Sequence, residues 1–257
     1  VLSLVWLIGR RMVTVTSQIN KLNLHVLPEM ARAYQARGVV AWQVQLTGPL
    51  GRAADHPEWI VDPWQVVPII DTLAKLQLEA VEAWRAAGEE GQPFAIMPSN
   101  NIGYFGPHEQ VLRSRPLSSE SHFASCKAGK HTLGIESDGT IKACPTLPTP
   151  YRGSNVKDLS LEQIWEQDRI VGFARHRTKD ELWGFCKTCY YADACKGGCT
   201  WMAHTTLGKR GNNPFCYHRV TQLRRRGERE RLQKVEAAPG VPFDFGRFEL
   251  IVEPWQD

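Results

Sequence analysis

Cys186-Lys187-Thr188-Cys189-Tyr190-Tyr191-Ala192-Asp193-Ala194-Cys195-Lys196-Gly197-Gly198-Cys199 places four thiols in fourteen consecutive residues, with gaps of two, five and three. Cys216 follows, Cys126 and Cys144 precede, and these are all seven cysteines of the chain. Thiolates this dense are soft ligands, and zinc or iron–sulfur is the chemistry they select. An odd count argues against a fully paired disulfide framework. Free thiols at metal spacing imply a reducing cytoplasm.

The 257 residues are enough for one large or two modest domains with a sizeable core. The formal net charge of +4 is mild, and no basic cluster is interleaved with aromatics, so nucleic acid is not an expected partner. The apolar opening Val1–Ile8 is too short to span a bilayer, and Arg10 and Arg11 follow it where a secretory signal carries its charges in front. No membrane partner is expected. Residues 1–12 read as a buried strand and turn, or as the entry into a longer reading frame.

Ahead of the cysteines the chain alternates strands and helices. Val13–Thr16 is β-branched and ends in the polar Ser17–Asn20. Pro28–Arg37 reads as a helix stopped by Gly38, Val39–Leu46 as a strand, Val66–Ala87 as a helix with Ile69, Leu73, Leu76 and Ala80 on its apolar side, and Pro93–Met97 as a third strand. That order predicts an α/β unit with a parallel sheet. Gln43 and Gln45 alternate with Trp42, Val44 and Leu46, and such glutamines need hydrogen bonds or a cavity. Ligands to such sheets sit at the carboxyl ends of the strands, here Gln18, Asn20, Thr47, Arg52, Ser99 and Asn100. Pro107–Arg113 looks like a connecting helix.

From Cys126 onward Gly, Pro and Cys rise and regular elements shorten, as in segments stapled by metal. Ser137-Asp-Gly-Thr140 is a tight turn between Leu133–Glu136 and Ile141–Ala143, and Leu159–Trp165 is a short helix with Ser160 as its cap. Gln222–Glu236 is arginine-rich and is expected to be a solvated helix.

Cys126-x12-Gly139-x4-Cys144, then Cys186-x2-Cys189-x5-Cys195-x3-Cys199, then Cys216, resembles the SPASM domain, the auxiliary iron–sulfur domain of many radical S-adenosylmethionine (SAM) enzymes. Asn155 and Leu161-x-x-Ile164-Trp165 fit the same pattern. The resemblance implies two [4Fe–4S] clusters. Cys126, Cys144 and Cys199 would hold the first, and Cys186, Cys189, Cys195 and Cys216 the second. Seven thiolates for two four-ligand clusters leave one iron of the first without a cysteine, open to water, substrate or a side chain such as His131.

The preceding elements resemble the later strands of a radical SAM (β/α) barrel. The expected fold is therefore α/β, with a partial barrel over 1–118, a SPASM domain over 119–222, and a C-terminal helix and tail over 223–257. Gln18, Asn20, Arg52 and Asn100 are its candidates for the SAM or substrate side. No C-x3-C-x2-C triplet is present and no cysteine precedes Cys126, so SAM and a third [4Fe–4S] cluster require a missing N-terminal half.

By resemblance the function is radical modification of a ribosomally made peptide or protein by an oxidoreductase of the peptide-maturase kind, with ferredoxin or flavodoxin as electron donor. The alternatives are a non-catalytic iron–sulfur protein that carries electrons or presents a peptide, and a zinc-stapled binding module in which Cys186, Cys189, Cys195 and Cys199 hold one zinc. Gly197-Gly198 is either a plain turn or a place where backbone N–H groups approach cluster sulfur. Trp42, Trp165, Trp183 and Trp201 are read as packing or cluster shielding, and His204 and His218 as surface residues or sulfur partners.

Overall fold

The computed structural model describes residues 12–123, 125–241 and 244–256. The strand expected near the start falls outside these, apart from the exposed Met12. Strand β1 (Thr14–Ile19), helix α1 (Leu27–Gln35), strand β2 (Ala41–Leu46), helix α2 (Val66–Ala86) and strand β3 (Ala95–Pro98) follow in order. The strands pair in parallel in the order β1-β2-β3, with Val15 beside Trp42 and Trp42 beside Ile96.

One face of this sheet is core. Ile19, Trp42, Val44, Leu46 and Ile96 are buried against Ile69, Ile70 and Leu73 of α2, whose apolar residues recur at three- and four-residue steps. Two buried polar side chains in this region are satisfied. Trp42 Nε1 donates to Ser17 Oγ at 3.0 Å, while Gln77 accepts from the Ile96 N–H at 2.6 Å and donates to the Phe94 carbonyl at 3.0 Å. Gln77 thereby ties α2 to β3 by hydrogen bonds that no apolar residue could make.

The other face carries Thr16, Gln18, Gln43, Gln45 and the half-exposed Met97. Gln18 donates to Gln45 at 3.0 Å, and Gln45 to Gln43 at 3.3 Å, so the glutamines form an amide ladder on an accessible surface. Parallel sheets are usually covered on both faces. The described sheet ends at three strands, so the structure shows a small open parallel sheet and not the partial barrel itself.

Beyond α3 (Glu109–Arg113), short elements alternate with loops: strands β4 (Gly134–Ile135) and β5 (Ile141–Lys142) as an antiparallel pair, then helices α4 (Leu161–Gln167), α5 (Phe173–His176), α6 (Ala192–Cys195), α7 (Thr200–Leu207) and α8 (Tyr217–Arg224). At the hairpin, Gly139 has φ +92°, and a Cβ there would come within 2.7 Å of Asn155 Oδ1. Asn155 Nδ2 donates to the Asp138 carbonyl at 3.0 Å, so this glycine and asparagine are one structural unit. Helix α4 starts with a capping box of Ser160 and Gln163.

The C-terminal segment corrects the sequence reading. Helix α8 ends at Arg224, and residues 228–236 are strand β6 (Glu228–Glu236), paired antiparallel with β7 (Arg247–Pro254). Gly227 with φ +72° makes the break. The arginines face a partner strand instead of solvent alone: Arg229 and Arg231 both reach Glu253, at 2.8 and 3.4 Å. Asp62 accepts from the Leu232 N–H at 2.9 Å and pairs with Lys21 at 2.8 Å, anchoring the hairpin near the sheet. Among the described residues no helix is long and apolar enough to cross a membrane.

A buried ion pair joins this hairpin to the cysteine region. Arg219 on α8 grips Glu230 on β6 at 2.6 and 2.7 Å, and its third nitrogen donates to Asn212 at 2.7 Å. Both partners are more than nine-tenths buried. Glu230→Ala strands the guanidinium and is expected to cost about 3–5 kcal/mol in chemical denaturation. Glu79→Ala, which breaks the exposed pair with Lys75, should change stability by less than about 1 kcal/mol.

Candidate metal centre

Short turns carry the cysteines inward. Cys186 lies in the Gly184–Thr188 turn, Cys195 ends α6, Cys199 caps α7 and Cys216 caps α8. All seven are free; Cys195, Cys199 and Cys216 are buried and the other four half-buried. Cys126, Cys144 and Cys199 line one small cavity of about 30 Å³. Cys186, Cys189 and Cys216 line a second of about 10 Å³, and Cys195 borders both. The thiols influence one another along the same division. Cys199 is acted on by Cys126 and Cys144, while Cys195 is acted on by Cys186 and Cys189. Cys216 is acted on by Cys195 and Cys186.

Two opposing forces act on these thiols. Burial pushes Cys186 up to about 11 and Cys195 up to about 12, and raises Cys126, Cys199 and Cys216 as well. Backbone N–H groups favour the ionised sulfur instead. Gly197 and Gly198 donate towards Cys195, Trp201 and Met202 towards Cys199, Arg219 towards Cys216, and Ala128 towards Cys126. A buried thiol surrounded by donors for its anion is a ligand that lacks its cation, so the donor set fits a thiolate-bound metal group. Among the described residues no three His, Cys, Asp or Glu side chains converge closely enough to hold a single metal ion. The thiols surround the two cavities instead.

The double glycine is more than a turn. Lys196, Gly197 and Gly198 have φ of +53°, +74° and +71° in succession, a tight left-handed turn in which the Gly198 N–H bonds the Cys195 carbonyl at 3.3 Å. A Cβ on Gly197 would come within 2.8 Å of the Gly211 backbone, and one on Gly198 within 2.8 Å of the Tyr104 ring.

Tyr104, which sequence reasoning did not single out, stands between the two thiol sets. It is 1% exposed. Its hydroxyl accepts from the Cys199 N–H at 3.2 Å and from Asn213 Nδ2 at 2.9 Å, and donates to the Asn100 carbonyl at 2.5 Å. Its carbonyl accepts from the His218 N–H at 3.1 Å and lies 3.7 Å from Cys216 Sγ. Burial keeps the phenol protonated. Phe105 stacks on Tyr191 at 4.0 Å, and with Phe185 and His218 they line the second cavity.

The other candidates divide. Trp42 is sheet core, Trp201 lines the first cavity, Trp165 lies under the Arg175 guanidinium, and Trp183 donates to the Arg210 carbonyl. His204 pairs with the Tyr151 hydroxyl at 3.0 Å rather than with sulfur. His131 is exposed and borders a groove next to Cys126, not the first cavity. Of the strand-end residues, Asn100 and Ser99 border that groove. Gln18 serves the amide ladder, and Asn20 bonds Thr47 at 3.4 Å and the Leu22 N–H at 2.9 Å. Arg52 is exposed in the Gly51–Asp55 turn and borders neither the thiol cavities nor the groove. Asn101, read with Asn100 from the sequence as a turn former or a cavity-facing residue, is structural: it both accepts from and donates to the Leu46 backbone, at 3.1 and 2.9 Å.

A buried, thiol-lined region of this kind fits a thiolate-bound metal group, and comparison with known proteins points to iron–sulfur. Residues 126–190 match the SPASM family model, an iron–sulfur cluster-binding domain. Cys126, Cys144, Cys186 and Cys189 fall inside the match, and Cys195, Cys199 and Cys216 beyond it. The AdoMet-dependent heme synthase of Nitratidesulfovibrio vulgaris is 23% identical over 223 residues, covering 81% of this chain and 54% of that protein. The protein of the same name in Oleidesulfovibrio alaskensis is 23% identical over 216 residues, covering 79% of this chain and 50% of its own length. The chain spans about half the length of these curated relatives. These similarities support a SPASM-containing protein related to the radical SAM family.

Tyr104→Phe leaves the Cys199 N–H, the Asn213 amide and the Asn100 carbonyl without their buried partner. It is expected to lower stability by about 1–3 kcal/mol in chemical denaturation and to speed metal loss to a chelator.

Proposed function

We propose that this chain is the auxiliary-cluster part of a radical SAM/SPASM-type enzyme, with Cys126, Cys144 and Cys199 holding one [4Fe–4S] cluster and Cys186, Cys189, Cys195 and Cys216 a second. The observation that carries this reading is the gathering of seven free thiols around two adjacent cavities, with amides donating to their ionised form. When bound, such clusters supply one-electron acceptance or donation. This chain's residues hold the sulfur, turn N–H dipoles toward it, and exclude water with Phe105, Phe185 and Tyr191. In this reading β1–β3 are later strands of a barrel, whose interior wall is the amide ladder. A SAM-cluster-bearing segment or partner supplies SAM and the third cluster, and a ferredoxin or flavodoxin supplies electrons.

The substrate reading rests on the groove between sheet and thiols. It measures about 480 Å³ and runs from Gln43 and Asn100 to Cys126. Arg115, Lys127 and Lys130 border it, and no carboxylate does among the described residues. Such a lining favours an acid. Together with the relatives' printed name, it favours a carboxylate-bearing macrocycle of the haem class over the ribosomally made peptide that the family resemblance implies.

Oxygen-free preparations should be brown and carry about eight irons per chain. Cys144→Ala and Cys189→Ala should each remove about half of the iron, from different sets. A colourless chain with one zinc contradicts the assignment. A propionate-bearing porphyrin should bind more weakly to Arg115→Gln/Lys127→Gln than to the parent chain. Preferential binding of an acidic peptide would return the peptide reading.

A further inference from the structure

The first cavity is lined by a buried cation that no carboxylate contacts by hydrogen bond among the described residues. Arg177 lines it and is 7% exposed. Nη1 donates to Thr200 Oγ1 at 3.3 Å, but Nε and Nη2 are buried without a partner. Trp201, which lines the same cavity, has a buried Nε1–H that is also unpartnered. Three of the four unsatisfied buried side-chain atoms among the described residues thus belong to this one wall, and all three are donors. The neighbouring Arg210 adds repulsion, and Glu181, which offsets part of it from a distance, is itself held by Arg210 at 2.7 Å.

A buried, unpaired guanidinium is among the costliest arrangements a protein can hold. Guanidinium stays charged, so an acceptor facing Nε and Nη2 would relieve a large cost. The charge of Arg177 is felt by Cys126 of one set and by Cys186 and Cys195 of the other.

We infer that Arg177 is the shared buried counter-ion of both cysteine-held groups, with Trp201 as a further donor, and that it positions and electronically tunes them without ligating iron. This rests on the cluster assignment above. A positive charge at this place stabilises the more negative, reduced state, so removing it makes reduction harder.

The test is potentiometric titration followed by EPR on the oxygen-free, iron-loaded chain. Arg177→Met should raise the oxidised-to-reduced ratio at a fixed potential about tenfold, a negative shift of ~59 mV for a one-electron couple. Arg177→Lys, which keeps the charge, should restore most of it. Should Arg177→Met fail to accumulate, Arg177→Gln replaces it, and Gln must lie below Lys in potential. Wild-type potentials in the neutral variants, with or without a lower melting temperature, overturn the inference and leave a merely structural arginine. A parent chain without iron–sulfur signals overturns the cluster assignment first, and this inference with it.

Discussion

Sulfur buried without its counter-charge is the constraint on which the rest of this molecule depends. Water would stabilise a thiolate, yet three of the seven cysteines are buried and the others half-buried. Left as thiols they are poor hydrogen-bonding partners for the amides that surround them, and as thiolates they require a cation. The chain adopts irregular backbone to meet that requirement, including three consecutive left-handed residues at 196–198. Under the proposed cluster assignment, ligand binding and folding would be one process in this half of the chain.

The rest of the architecture holds these turns in place by a few polar links of long sequence separation. Glu230 fixes Arg219, Arg219 fixes Asn212, and Asn212 accepts from the Cys186 N–H at 3.4 Å. From the sheet side, Gln77 and Asn101 lock β3 and its exit loop, which delivers Tyr104 to the Cys199 backbone. Tyr217 on α8 reaches back to Asp71 on α2 at 3.0 Å. The open face of the sheet and the thiol region meet along the cationic groove, where Asn100 and Cys126 border the same space.

Local signals were legible in the sequence. Alternating and helical periodicities located β1, β2, β3 and α2 to within a few residues, because each buries one side of a regular element. Ser160 with Leu161, Ile164 and Trp165 announced α4, and the cysteine spacing announced the site. What stayed illegible depends on partners far along the chain. Tyr104 acts on Cys199 across 95 residues, and no local pattern distinguishes it from any core tyrosine. Residues 228–236 look helical and solvated until the partner strand 247–254 turns their arginines into cross-strand ion pairs. Arg177 reads as one surface arginine among many until its burial is seen.

Native mass spectrometry of the chain assembled without oxygen tests the central claim most directly, since it counts inorganic atoms per molecule. The account predicts a mass gain equal to two four-iron, four-sulfide units, reduced to one unit when any cysteine of the 186, 189, 195 and 216 set is replaced. A gain of one or two zinc atoms, or no gain, would contradict it.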